Sequence, residues 1–260
     1  MKSCYIFSDK NLAYLQEIIA TKFKKVEIFK ITPDENDKKN LINLNEKEFF
    51  LKFIDKFEEL KTKNNFVIVI GCESFSVFGK SELNLKLARN LNAPIFDENA
   101  NELRALNLNS KLLITDKFDE ILSYKTDSIT PFKFQSLLLK RAKAANKTVV
   151  LPESDDERIL KAAHIVLEKG AANIILLGLE SEISKKAATL GLNLSKAKVL
   201  NPAQNELTDE FAKKIYELRK HKGVNEAKAN ALAKDKIYFA TMLIHEGIAD
   251  ALVSGATMST

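Results

Sequence analysis

Phe66-Val-Ile-Val-Ile70 is an unbroken apolar run in which every residue after the phenylalanine is β-branched. A strand with one wet face alternates apolar and polar residues. A run without a polar position must be covered on both faces, the signature of a parallel sheet between helical layers. The surrounding sequence supplies matching partners. Residues 4–8 and 26–31 are further apolar runs of strand length, separated by the amphipathic segment Leu12–Phe23. Phe49, Phe50, Phe53, Ile54, Phe57 and Leu60 recur at three- and four-residue spacing, which predicts a helix. Leu83–Leu91 reads as another helix and Lys111–Thr115 as another strand. Such alternation predicts an α/β fold of three layers, helices on both faces of a parallel sheet.

Residues 116–130 are rich in Lys, Asp, Ser and Thr and precede Pro131, which marks a domain boundary. One α/β domain is expected over 1–125 and a second unit over 131–260. In the latter, a helix over 132–143 leads into strand 148–151, helix 155–168, strand 173–177 and helix 182–190. Strand 198–200, helix 208–222, two helices over 225–233 and 236–246, and strand 251–254 follow.

Composition removes several classes of function. The chain has 260 residues with 45% apolar and 29% charged residues, an ordinary globular balance. No apolar run approaches the ~20 residues of a membrane span, and the N-terminus lacks the apolar core of a secretory signal. Cys4 and Cys72 form no C-x-x-C pair, so a reducing cytoplasmic setting is expected. The net charge of +5 is carried mostly by scattered lysines, with five arginines among the 40 basic residues. Without a basic stripe, nucleic acid is not an expected partner. The three histidines, His164, His221 and His245, have no metal-ligand spacing, and no metal or cofactor is expected.

Gly79-Lys80-Ser81 follows the strong strand, but seven residues separate it from Gly71. A phosphate-wrapping P-loop needs four at that point, so no nucleotide site is expected. Leu151-Pro-Glu-Ser-Asp-Asp-Glu-Arg158 joins a strand end to a helix start. Ser154 and Glu157 have capping-box spacing, and Asp155, Asp156 and Glu157 suit the positive end of the helix dipole. Arg158 reads either as a phosphate contact beyond the strand ends or as one half of a surface ion pair. Tyr216-Glu-Leu-Arg-Lys-His-Lys-Gly223 closes a helix whose expected buried face is Phe211, Ala212, Ile215 and Leu218. Its cations suit a helix C-terminus, while the planar fork of Arg219 also suits bidentate phosphate contact. Leu252-Val-Ser-Gly-Ala-Thr-Met-Ser-Thr260 is a strand emerging into a hydroxyl-rich loop. Ser254, Gly255, Thr257 and Ser259 are candidate ligand contacts there, against an ordinary strand-to-helix turn.

From Ile129 onward these segments, together with Glu168-Lys-Gly-Ala171 and Ile174-Ile-Leu-Leu-Gly178, resemble the first part of the catalytic domain of phosphate acetyltransferases. The resemblance implies an isocitrate/isopropylmalate-dehydrogenase-like layered fold. It also implies acetyl transfer between coenzyme A and inorganic phosphate, and a homo-oligomer when full length. It implies coenzyme A binding for Arg219 and a substrate-facing role for the loop at 254–259. In that family a long C-terminal half follows the Ser-Gly-Ala motif, so a truncated chain is expected. The catalytic residues are then expected beyond Thr260, and the chain alone is expected to be inactive. Residues 66–96 resemble a worn dethiobiotin-synthetase-like domain whose phosphate loop would fall at Ser8-Asp-Lys-Asn11, where there is no glycine. The rivals are a sister butyryltransferase and an inactive fragment that binds coenzyme A or a partner. A malic-enzyme-type fusion is disfavoured, because residues 1–130 are too short for its dehydrogenase half.

Overall fold

The computed structural model describes residues 2–72, 79–107, 110–126 and 128–257. The chain divides into two compact units, Met1–Leu137 and Leu138–Thr260.

The first unit contains, in order, β1 (Lys2–Ile6), α1 (Leu12–Lys22), β2 (Val26–Lys30), α2 (Glu35–Ile42), α3 (Glu46–Lys63) and β3 (Phe66–Ile70). Then come α4 (Lys80–Leu91), β4 (Ile95–Phe96), α5 (Ala100–Leu106), β5 (Ile114–Thr115), α6 (Phe118–Ser123) and α7 (Pro131–Ala145), the last running past the unit's end. Its sheet has the order β2-β3-β1-β4-β5 with every pair parallel. β3 lies between β2 and β1 and is buried along its whole length, as its composition requires. Alternate residues feed two cores. Val67 and Val69 pack with the phenylalanines of α3, while Phe66, Ile68 and Ile70 pack with Leu15 and Ile19 of α1 and Phe118 and Ile121 of α6. Three layers result.

Some elements differ from the expectation. The strand read over Lys111–Thr115 pairs only at Ile114 and Thr115. Helix α2 is almost wholly polar and gave no apolar period. It is set by a capping box in which Asp34 accepts from the Asp37 amide and Asp37 accepts from the Asp34 amide, each at 2.8 Å. Lys52 reaches both carboxylates and is the main reason the Asp34 carboxyl is lowered to about 2. The first unit also extends past residue 125 to Leu137. The early turns of α7 belong to it: Phe132 stacks on Phe50 with ring centroids 5.2 Å apart, and Ser136 Oγ donates to Asp55 at 2.6 Å.

The second unit holds the rest of α7, followed by β6 (Thr148–Leu151), α8 (Glu157–Glu168), β7 (Asn173–Leu177), α9 (Glu180–Thr189) and β8 (Lys198–Leu200). It ends with α10 (Thr208–Arg219), α11 (Glu226–Lys234), α12 (Lys236–His245) and β9 (Ala251–Leu252). Its sheet, β8-β7-β6-β9, is again parallel throughout. Val150, Ile175 and Leu177 pack on α10, α11 and α12, and Leu151, Ile174 and Leu176 on α8 and α9. The Phe211–Phe239 pair, centroids 5.0 Å apart, joins α10 to α12. Leu218 lies on the same stripe of α10, two turns on from Phe211, but is 46% exposed, so the packed face ends at Ile215.

A buried polar lock holds the end of β3 in the first unit. Asn84 Oδ1 accepts from the Tyr5 hydroxyl at 2.5 Å and from the Cys72 amide at 3.0 Å. Asn84 Nδ2 donates to the Cys72 and Lys80 carbonyls. The backbone passes so close that a Cβ at Gly71 would lie 2.2 Å from Asn84 Oδ1, which is why glycine is needed there. Asn84→Ala would take away the one acceptor that the Tyr5 hydroxyl has among the described residues. Such a buried orphan costs about 1–3 kcal/mol, and a loss of that size is expected from urea unfolding followed by a probe in the first unit.

Candidate functional site

Parallel strands place all their C-terminal ends on one edge, and ligands of α/β sheets bind beyond that edge. In the second unit β6 and β9 are neighbours, with Val150 opposite Leu252. The loops that leave them, 152–156 and 253–257, therefore meet.

The meeting is organised by Glu153, which is only 5% exposed. Its Oε2 accepts from the amides of Gly255 (2.8 Å) and Ala256 (2.9 Å) and from Ser254 Oγ (3.2 Å). Its Oε1 accepts from the Thr257 amide and from Thr257 Oγ1, both at 2.8 Å. Gly255 has φ +109°, a conformation that side chains resist, and this lets successive amides converge on one carboxylate. The Ala256 and Thr257 amides are the leading causes that lower the Glu153 carboxyl to about 2, against the opposing effect of burial.

Arg158 holds the same loop from its other side. Its Nη2 donates to the Ala256 carbonyl at 2.7 Å and to Asp156 Oδ2 at 2.6 Å, while Nε donates to Asp156 Oδ1 at 3.0 Å. The ion pair and the loop contact are thus one arrangement. The guanidinium lowers the Asp156 carboxyl. The expected capping box does not form. Asp156 caps α8 by accepting from the Arg158 amide at 2.7 Å. Ser154 is buried, and its hydroxyl donates to the Leu177 carbonyl at 2.6 Å, tying this turn to the end of β7. Asp155 accepts from Lys236 at 2.6 Å.

The residues singled out in the sequence divide into two groups. Arg158, Ser254, Gly255 and Thr257 come together around Glu153, whereas Ser259 lies outside the described residues. Arg219 stands apart. Lys214, in the same helix, pairs with Glu246 just after α12, and the other end of α12 carries Lys236 against Asp155. Arg219 therefore lies toward the N-terminal edges of the strands, away from the 254–257 loop. It is exposed, and its side chain makes no hydrogen bond or ion pair among the described residues. Glu153 was not singled out by sequence reasoning, since nothing local distinguishes it from the carboxylates that follow it. Its partners lie 101 to 104 positions away.

Chemically, the loop is a cradle of amides and hydroxyls suited to an anionic oxygen. Here that oxygen belongs to Glu153. Among the described residues no group of three or more His, Cys, Asp or Glu is placed to hold a metal ion.

The Glu153 carboxyl is depressed in the folded chain, so its stabilising effect is complete above the ordinary glutamate range near ~4.3. It is lost as pH falls through about 2. The amide resonances of Gly255, Ala256 and Thr257 are expected to titrate with a midpoint of about 2. In Glu153→Gln they should show no such titration and faster hydrogen exchange at neutral pH.

Residues 133–260 match the family model described as phosphate acetyl/butaryl transferase. A Helicobacter pylori phosphate acetyltransferase is 38% identical over a stretch covering 83% of this chain and 48% of that protein. Its namesake from Thermoanaerobacterium thermosaccharolyticum is 46% identical over 47% of this chain and 37% of its own length. The chain thus spans about half the length, or less, of these curated relatives. Among solved structures, a Staphylococcus aureus phosphotransacetylase aligns at 39% identity with a TM-score of 0.44, covering 48% of this chain and 39% of that one. Residues 133–260 thus belong to the phosphate acetyl/butaryl transferase family.

Proposed function

We propose that the chain contributes the first part of a phosphate acetyltransferase, which moves an acetyl group between the sulfur of coenzyme A and an oxygen of inorganic phosphate. The observation that carries this reading is the match of residues 133–260 to the family. The similar proteins are phosphate acetyltransferases, which favours acetyl over butyryl. Transfer requires a thioester carbonyl and a phosphate held side by side, with donors for the charge that develops on the carbonyl oxygen. In this reading the 254–257 loop forms one wall of that site and Arg158 fixes its shape. Buried Cys4 and Cys72 stand outside any disulfide, which suits a reducing cytoplasm, and no helix among the described residues is long and apolar enough to cross a membrane.

The general base and the remaining donors are assigned to the part of the relatives that this chain does not match. The 260-residue chain alone should then form no acetyl-CoA from acetyl phosphate and CoA above background. Turnover in the usual range of ~1–10³ per second would relocate the whole site into residues 133–260.

Arg219 is proposed to contact a phosphate of coenzyme A, a role supported by its exposure and by its side chain's lack of a partner among the described residues. Loss of one charge-assisted contact costs about 1.5–3 kcal/mol. In a calorimetric titration of the chain with coenzyme A, Arg219→Ala should therefore bind at least about ten-fold more weakly. Arg219→Lys should recover part of this, since an ammonium lacks the fork. Unchanged affinity together with a lower melting temperature would make Arg219 a helix-end stabiliser instead.

A further inference from the structure

One cleft in the first unit has no part in the reading above. It is a cavity of about 650 Å³ between the end of α4, the segment leading into β5, and residues 124–126, 128 and 130. That size suits a small metabolite. Its walls are pinned rather than loose. Asn92, held in a left-handed conformation at the end of α4, donates from Nδ2 to the Ser128 carbonyl at 2.5 Å. The Tyr124 hydroxyl donates to the Lys111 carbonyl at 3.3 Å, and Lys2 Nζ donates to the Tyr124 carbonyl at 3.3 Å.

The described lining carries one sign of charge. Arg89, Lys111 and Lys125 line it together with the hydroxyls of Ser110, Thr126 and Thr130, and no carboxylate is among the described lining residues. Lys111 and Lys125 form no ion pair among the described residues, and Arg89 is engaged only through Nε, which donates to Asn107 at 2.8 Å. The terminal nitrogens of the Arg89 guanidinium remain available for bidentate contact. Thr130 Oγ1 accepts from the Lys133 amide at the start of α7, so the positive end of that helix's dipole adds to the same field. Asp127, the only acid between 124 and 130, lies outside the described residues.

Unpaired cations, hydroxyl donors and a helix N-terminus around one pinned cleft have a common complement in a dianionic oxyanion. We propose that this cleft is a binding site for a phosphorylated small metabolite, with Arg89 as the bidentate contact and Lys111 and Lys125 as flanking charges. The site is formed wholly by the first unit.

The test uses the ¹⁵N-labelled 260-residue chain, titrated with inorganic phosphate and with glycerol 3-phosphate against sodium chloride of matched ionic strength. Saturable shifts are expected at the amides of Lys111, Leu112, Lys125 and Thr126, with glycerol 3-phosphate binding at least as well as phosphate. Arg89→Ala should weaken binding at least about ten-fold. The double variant Lys111→Gln/Lys125→Gln, which changes only exposed side chains and leaves folding intact, should weaken it similarly. The proposal is overturned by an absence of saturable shifts at millimolar phosphate, by equal shifts with chloride, or by affinity unchanged in the double variant.

Discussion

Parallel pairing is the constraint from which the rest of the architecture follows. Neighbouring strands that run the same way cannot be joined by a tight turn, so each connection must cross the sheet, here through a helix. Crossovers cover both faces, so Phe66–Ile70 and Ile174–Leu177 carry apolar side chains toward both layers without a polar position. The same geometry puts every loop that follows a strand on one edge. A site at that edge needs no special device beyond residues with the right chemistry in two adjacent loops.

In the second unit the adjacent strands are β6 and β9, which lie about a hundred residues apart in the chain. Their loops would repel or drift without a fastener, since neither is a regular element. Glu153 is that fastener. A carboxylate accepting three amides and two hydroxyls satisfies donors that would otherwise be stranded in a tight turn. Arg158 completes the arrangement by taking up the Ala256 carbonyl, and its own charge is balanced by Asp156. The arrangement presents a small polar loop at the edge where a substrate anion would be handled. The carboxylate that shapes the cradle also occupies it.

The first unit solves a similar problem with a neutral group. Asn84 supplies an acceptor and a donor at one point, so it satisfies the Tyr5 hydroxyl and both polar groups of Cys72 behind the end of β3. A carboxylate there would lack the donor that the Cys72 carbonyl takes up. Both units therefore secure the chain leaving a central strand with one buried polar side chain, ionised in one case and neutral in the other.

The amino-acid sequence by itself determined the class of fold and most of its elements. Apolar runs and three- and four-residue spacings are local signals, and they located β3, α3, β7 and β8 closely. Family-specific segments from Lys147 to Gly223 likewise determined what the second unit is related to. Polar α2 escaped because its cause is a capping box and a distant lysine rather than a hydrophobic period. Leu218 was misplaced because spacing alone cannot say how far a helix's covered face extends. The site was legible only in outline. Arg158 and the 254–257 loop were visible as motifs, but their meeting through Glu153 was not, nor was the separation of Arg219 from them. Those facts depend on which strands become neighbours. Strand adjacency is decided by contacts between residues far apart in the chain, and only the folded backbone brings those residues within hydrogen-bonding distance.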